Sequence, residues 1–446
     1  MIKRFFLDLF PVEIKGNKSF RALFLRTLIS LIGLCFLFFS YVLMAQLMGA
    51  KGFGNYAVIF TYLNILVAIC LFGFDKSVIA IYPPLAEQQQ WKRIIGLLSF
   101  SRTTILISSL AFAAAFLFVL ISYSGKFGIT FSEALFWALP LFPFLAFIQY
   151  DSAVMDAMQK PSFSGRWFNS IITVAASVSC LVYYELNNKT LKTDAVIFIY
   201  LCCTLFVFIF NSGRLKKIQY HLPLRDVTKE YQRKAWLSVS MPIFVATLIS
   251  LLMKSTGILF ISYFFGNARA GIYAAAVITS SIVPALIAVP QALFLPRIRE
   301  LYESRSYDQL KKLMSRWLKT AYILSLPVSI VVIVFGKFIL QIFGTAFVAS
   351  YVPLLILTVG QLINFRLGMA TAIVIAGGYK GMFLAINILA VIFDLALHFF
   401  LVPKLGMHGA AIASVLSLTI LNLLFYLRVK KKWSQFPGTN FLTDSN

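Results

Sequence analysis

Several charged residues of this sequence lie inside long apolar runs, where a charge is unfavourable and therefore needs an explanation. Lys254, Arg366 and Asp394 lie far from either end of their runs. A charge at the bilayer centre costs about 2.5–3.5 kcal/mol on insertion scales, so each should face a cavity or pair with another group. Lys254 and Arg366 could hold a diphosphate, Arg through a bidentate fork and Lys as a compact point charge. A buried ion pair with a carboxylate is the other interpretation.

Asp394 and His398 stand four residues apart, a spacing that places both on one helix face, with Asn387 on roughly the same stripe. A histidine changes charge in the neutral range, so a carboxylate beside an imidazole would suit proton coupling. A purely structural pair within the helix bundle is the alternative.

Five further charges lie nearer one end of their apolar runs: Arg26, Asp75, Lys76, Arg102 and Asp151. Long basic side chains within about two turns of a helix end can reach the headgroups, which gives the three cations an ordinary explanation. We nevertheless take Arg26 and Lys76 as additional substrate-binding candidates. Asp75 and Asp151 are additional candidates for proton coupling.

The elements that would position these residues are transmembrane helices. The 446 residues are 60% hydrophobic and only 13% charged, with a mean hydropathy of +0.85, whereas about a quarter of a typical soluble chain is charged. The five cysteines all lie in apolar runs without metal-like spacing, so we expect no metal site, and no cofactor either. The formal charge of +24 comes from basic residues between apolar runs. It therefore favours contact with anionic membrane lipids over nucleic acid.

The apolar runs predict twelve membrane spans, since about 20 residues cross the hydrocarbon core. They lie near 23–48, 56–82, 96–123, 131–155, 163–186, 193–212, 236–265, 270–296, 317–343, 351–376, 380–403 and 408–428. Most of the Lys and Arg residues collect at the termini and in the connections after even-numbered spans. The opposite side holds Lys51, Lys126, Lys189, Lys192, Arg269, Lys337 and Lys404. This alternation predicts that both termini are cytoplasmic.

An internal repeat divides the spans into two sets of six. Gly49, Gly54, Tyr56 and Ala57 recur as Gly266, Gly271, Tyr273 and Ala274, a constant 217 positions later, and Asn169 recurs as Asn387 after 218 positions. Because six is even, both halves enter the membrane in the same sense. The predicted fold is therefore all-α, with two six-helix lobes related by a pseudo-twofold axis along the membrane normal and a central cleft. The expected domains are 1–212, a basic linker 213–235, and 236–446 with a basic cytoplasmic tail.

Several motifs resemble one family. They are Gly49-x4-Gly54-x-Tyr56, Gly73-Phe74-Asp75, Tyr82-Pro83, the stretch 343–357, AGGYKG (376–381), Asn387 and LVPKLGMHGAAIAS (401–414). In this order they resemble the polysaccharide-transporter branch of the multidrug/oligosaccharidyl-lipid/polysaccharide (MOP) exporter superfamily, and O-antigen flippases most. The resemblance implies a V-shaped transporter in the bacterial inner membrane that flips an undecaprenyl-diphosphate-linked oligosaccharide for O-antigen and lipopolysaccharide synthesis. Implied partners are that lipid-linked oligosaccharide, membrane lipids and other polysaccharide-assembly proteins.

Two other functions are weighed against the flippase. A cation-coupled multidrug exporter of the same superfamily should bury acidic residues in its N-terminal lobe. In this sequence the deep charges of the C-terminal lobe are mainly basic, which favours an anionic substrate. A glycan polymerase or transferase needs a catalytic surface, and neither HExxH nor a phosphate-binding glycine loop is present. We therefore expect that the protein is not an enzyme. The segment 297–319, with apolar residues interleaved among charges, predicts an amphipathic helix lying on anionic lipid. Contact with a cytoplasmic partner is the alternative interpretation.

Overall fold

The computed structural model describes residues 17–123, 132–158, 166–220 and 228–433. These residues form thirteen α-helices and one 3-10 helix. In chain order they are α1 Asn17–Leu71, α2 Phe74–Glu87, α3 Trp91–Tyr123, α4 Ser132–Ala138, α5 Leu141–Ala157, α6 Arg166–Leu186, α7 Thr193–Tyr220, α8 Arg233–Phe265, α9 Asn267–Ser280, α10 Ile282–Glu303, α11 Tyr307–Phe343, the 3-10 helix Thr345–Ser350, α12 Tyr351–Ala376 and α13 Lys380–Trp433.

The helices account for the twelve predicted spans. Nine helical segments within the described ranges are long and apolar enough to cross a membrane, and two of them, Ile32–Glu87 and Gly381–Lys431, have 56 and 51 residues. Each of these is long enough for two crossings. With the shorter apolar helix Ser170–Leu186, the predicted number is reached. The prediction of an all-helical, multi-pass membrane protein is confirmed.

The matched glycines of the repeat occupy matched backbone positions. Gly49 interrupts α1 with a φ of +64°, and Gly266 precedes α9 with a φ of +83°. Residues with a Cβ rarely adopt a positive φ, so glycine is required where each pair of helices turns. Tyr56 and Tyr273, seven residues after each glycine, are both almost fully buried. The repeat read from the sequence is therefore a repeat of structure at this turn.

The chain divides into two compact units. One contains residues 39–252, and the other contains residues up to 38 together with those from 253 onward. Their boundaries fall inside α1 and α8, and the predicted linker 213–235 lies wholly within the 39–252 unit.

Within the 39–252 unit, the residues that lead into α8 are fastened to the start of α3. The Glu230 backbone N–H donates to the Lys92 carbonyl at 3.2 Å, and Arg93 forms a 2.7 Å ion pair with the Glu230 carboxylate. The Arg93 guanidinium holds the pKa of Glu230 below its usual range. A Cβ at Gly96 would lie 2.0 Å from the Glu230 carbonyl oxygen, so this close approach requires glycine.

The segment 297–319 is not a separate surface helix, so that prediction is wrong. Helices α10 and α11 run through it and meet at a turn near Ser304–Ser306. The apolar residues of the segment join a buried core with α12 and α13, namely Leu301, Leu310, Leu313, Met314 and Trp317. The amphipathic pattern arose because one face of each helix packs against protein while the other carries the charges.

Candidate functional site

The 39–252 unit contains a buried carboxylate that forms an ion pair. Asp151 of α5 is 1% exposed, and its Oδ1 accepts a 2.6 Å hydrogen bond from Arg102 of α3. Its Oδ2 accepts a hydrogen bond from Ser212 of α7 at 3.1 Å. The neighbouring Tyr150 hydroxyl hydrogen-bonds to Ser101. Both oxygens of Asp151 thus have donors from different helices, an arrangement that stabilises the charged form and ties three helices together.

Asp75 and Lys76 point in different directions from the first turn of α2. Asp75 is buried, and its Oδ2 accepts a 3.2 Å hydrogen bond from the Gln149 side-chain amide. Lys76 is exposed, and its Nζ donates to the Thr247 hydroxyl of α8 at 2.9 Å. Both contacts lie within the same unit. Asp75 thus accepts from a neutral amide, whereas Asp151 accepts from a guanidinium.

In the other unit, Asp394 and His398 lie side by side on α13, and both are fully buried. Asp394 Oδ1 accepts a 2.6 Å hydrogen bond from the Ser417 hydroxyl and lies 3.4 Å from His398 Nδ1. Within the described part of the chain, Asp394 Oδ2 has no hydrogen-bond partner. A buried polar oxygen without a donor is uncommon and calls for an explanation.

The contacts of His398 assign its tautomer. Nδ1 lies 2.8 Å from the backbone oxygen of Asp394, and a carbonyl can only accept, so Nδ1 carries a proton. In the neutral ring Nε2 then accepts from the Ser414 hydroxyl, 3.3 Å away. Tyr273 of α9 lies beside Ser414, and the Phe260 ring of α8 packs at 5.9 Å from the imidazole. Residues from α8, α9 and α13 therefore enclose the pair.

Of the remaining candidates, Lys254 and Asn387 have described side chains. Lys254 is exposed although it lies well inside the apolar helix α8. The side chains of Arg26 and Arg366 lie outside the described residues. Asn387 donates to the Phe383 carbonyl one turn earlier, at 2.8 Å, and so bonds to its own helix.

Several members of these clusters could not be identified from the sequence. Ser414, Ser417, Ser212 and Thr247 are ordinary small polar residues, and nothing in their local pattern distinguishes them from other helix residues. Tyr273 did carry a signal, because it belongs to the internal repeat.

Comparison with known proteins relates the fold to one group of transporters. No protein-family model matches the chain, and no curated protein matches it significantly. Among solved structures, an inward-facing multidrug resistance MATE family transporter of the MOP superfamily has a TM-score of 0.71 at 14% identity, covering 91% of this chain and 96% of the other. The lipid II flippase MurJ in an inward closed conformation has a TM-score of 0.71 at 15% identity, covering 91% and 87%.

A MOP superfamily transporter from Pyrococcus furiosus is also similar. Its TM-score is 0.64 at 15% identity, and the match covers 97% of this chain and 98% of the other. Its binding pocket has a reverse polarity that suggests a different function. At such low identities the similarity concerns architecture alone. The chain therefore has the fold that MOP superfamily transporters share, over more than nine-tenths of its length.

Proposed function

We propose that this protein is a flippase that moves an undecaprenyl-diphosphate-linked oligosaccharide across the bacterial inner membrane by alternating access. The exposed lysine inside α8 is the observation that carries the proposal. Lys254 lies in a helix whose mean hydropathy marks it as a membrane span. A lysine at that depth is costly in lipid, whereas a water-filled cavity that admits an anion makes it useful. A diphosphate supplies that anion.

Lys76 of α2 is a further proposed substrate-binding cation. Its side chain is exposed, and its Nζ donates to the Thr247 hydroxyl within the 39–252 unit. Arg366 and Arg26 remain proposed substrate-binding residues.

The similarity to the lipid II flippase MurJ supports a lipid-linked cargo, because a fold that serves one such cargo can serve another. The O-antigen repeat unit is the cargo that the motif resemblance favours. We further propose that both termini are cytoplasmic and that other polysaccharide-assembly proteins deliver the cargo to that side.

A cation-coupled multidrug exporter is the second candidate, and one observation favours it. Asp75 is buried in the 39–252 unit beside the neutral amide of Gln149. A carboxylate in such a place could exchange a cation or bind a cationic drug. Several structurally similar proteins are MATE transporters, which keeps this alternative open.

Reconstituted liposomes would distinguish the two functions. Purified protein is inserted into liposomes that carry a fluorescent undecaprenyl-diphosphate oligosaccharide, and a membrane-impermeant reagent measures the sugar on the far leaflet. We expect the wild type to equilibrate the sugar between leaflets and Lys254→Ala to slow it about tenfold, the loss of one charge-assisted contact. Lys254→Arg should be milder, because the charge is retained.

Lys404→Ala is the matched control, since it removes an exposed cation that is not among the proposed substrate-binding residues. Equal rates in Lys254→Ala and Lys404→Ala would contradict the role of Lys254. A wild type that moves no sugar but exports a cationic dye, with loss of export in Asp75→Asn, would replace the flippase by the drug exporter.

A further inference from the structure

Two cations near the start of α3 are held by protein side chains but keep further hydrogen-bond donors. Arg102 donates through Nη2 to Asp151 at 2.6 Å, and one-third of its side chain is exposed. Lys229 is exposed, and its Nζ donates to the Ser99 hydroxyl at 3.2 Å. A guanidinium has five N–H groups and an ammonium has three. Each cation can therefore bind another acceptor without giving up its protein partner.

The two cations meet at neighbouring positions of one helix. Ser99 and Arg102 are three residues apart on α3, and residues at this spacing are neighbours on a helix surface, with Cβ atoms about 5–6 Å apart. Because Lys229 is hydrogen-bonded to Ser99, its ammonium lies about one helical turn from Arg102. A phosphate presents several acceptor oxygens, so it can accept from both cations at once.

Both cations are oriented before any ligand binds. The backbone N–H of Glu230, the residue after Lys229, is hydrogen-bonded at 3.2 Å to a carbonyl in the first turn of α3. Asp151, which orients Arg102, is 1% exposed and accepts a second hydrogen bond from α7. Groups that are already held in place lose little conformational freedom on binding, which favours affinity.

Positive charge exceeds negative charge around this position. Residues 92–102 and 228–234 contain six cations and one carboxylate, and Asp151 adds the second carboxylate. Ion pairs with Arg93 and Arg102 account for the two carboxylates. Four cations are therefore in excess, a balance that attracts an anion. They are Lys92, Lys229, Arg233 and Lys234.

The side of α3 that carries Ser99 continues into an exposed apolar strip. Leu106, Leu110 and Leu117 follow Ser99 by 7, 11 and 18 residues, spacings that return to the same side of a helix. They are 47%, 61% and 39% exposed. Since α3 is long and apolar enough to cross a membrane, this strip should contact acyl chains. Arg102 lies about 9 Å from the predicted start of the span at 96, within reach of the headgroups.

We propose that Arg102 and Lys229 bind the phosphate of an anionic membrane phospholipid whose acyl chain lies along Leu106, Leu110 and Leu117. The lipid occupies the donors that Asp151 and Ser99 leave available, and it links α3 to the segment that leads into α8. None of the proposed cargo-binding residues belongs to this site, so its test requires no transport.

Lipid titration followed by native mass spectrometry tests the site. The purified full-length protein in detergent is titrated with phosphatidylglycerol, phosphatidylcholine or soluble glycerophosphate. We expect phosphatidylglycerol to bind most tightly, because phosphatidylcholine carries a cation beside its phosphate and glycerophosphate has no acyl chain. Lys229→Ala should weaken phosphatidylglycerol binding about tenfold, the loss of one charge-assisted contact. Lys312→Ala is the matched control, since it removes an exposed cation from the other unit, and it should keep the wild-type affinity.

Arg102 requires a paired substitution, because Arg102→Ala alone would leave the buried Asp151 without its cation. The double variant Arg102→Gln with Asp151→Asn removes both charges and should also weaken phosphatidylglycerol binding about tenfold. Wild-type affinity in both Lys229→Ala and the double variant overturns the proposal. Equal weakening in Lys312→Ala and Lys229→Ala does so too, because it would show a general effect of charge. Glycerophosphate that binds as tightly as phosphatidylglycerol would assign the two cations to a soluble anion instead of a lipid.

Discussion

Arg102 reaches Asp151 from a position nearer the surface, at 2.6 Å, with one-third of its side chain exposed while the carboxylate is 1% exposed. The guanidinium therefore keeps part of its hydration and neutralises the buried charge at the same time. Asp394 lacks this arrangement, because its neighbour His398 is fully buried with it. Two buried aspartates in one protein thus have opposite electrostatic surroundings.

Removing the cation should expose this dependence on Arg102. We expect Arg102→Ala to destabilise the protein by about 2–4 kcal/mol, because an uncompensated charge would stay buried; the range is reduced for the partial exposure of Arg102. Thermal unfolding of the purified protein measures the loss. The exposed pair Arg299–Glu303 is the control, and Arg299→Ala should change stability by about 0.5 kcal/mol or less. Equal effects at the two pairs would contradict the assignment.

Two glycines offer a matched test of backbone packing. Gly96→Ala would place a Cβ 2.0 Å from the Glu230 carbonyl oxygen, whereas Gly213, inside α7, has no atom within 4 Å. We expect Gly96→Ala to destabilise by about 1–3 kcal/mol through overpacking and Gly213→Ala to be neutral or slightly stabilising. Thermal unfolding of both variants provides the comparison. A tolerated Gly96→Ala would mean that the 228–232 segment is not held against α3.

The Arg93–Glu230 contact predicts a pH dependence at the start of α8. The pKa of Glu230 is lowered by Arg93, so the contact is complete above the ordinary carboxylate range and is lost as pH falls through the lowered pKa. At neutral pH, Glu230→Gln should weaken hydrogen-exchange protection of residues 228–236 roughly two- to fivefold, the range for an exposed ion pair. The difference from wild type should vanish in acid. A difference in protection between Glu230→Gln and wild type that grows in acid would contradict the role assigned to the Arg93–Glu230 pair.

Topology can be tested with single cysteines at two exposed turns. In a background without the native cysteines, an impermeant maleimide added to intact cells should label Asn188→Cys and should label Glu303→Cys only after the membrane is opened. Asn188 follows α6 and Glu303 is the last residue of α10. The two residues should lie on opposite sides of the membrane if the alternation of basic residues sets the orientation. Labelling of Glu303→Cys in intact cells would show that the orientation is the reverse of the predicted one.

The fold was largely predictable because a membrane span can be recognised from the apolar composition of one short stretch of sequence. Each helix can be predicted from its own apolar run without knowing which helices pack against it. Gly49 and Gly266 mark equivalent turns by residue type and spacing. The Asp394–His398 pair was also predictable, since both residues lie on one helix. What surrounds the pair was not, because Tyr273 and Ser417 reach Asp394 from parts of the chain whose packing no local pattern encodes. The prediction for the segment 297–319 was wrong for the same reason, because its apolar face packs against protein instead of lipid.

The equivalent positive-φ glycines at positions 49 and 266 also record the history of the gene. A turn that requires the same residue in the same conformation, once in each half, is what tandem duplication of a six-span ancestor would leave behind. An even span number allows such a fusion in a single step, because the second copy inserts in the same orientation as the first. Residues that differ between the two copies then date from after the duplication, when each copy was free to specialise.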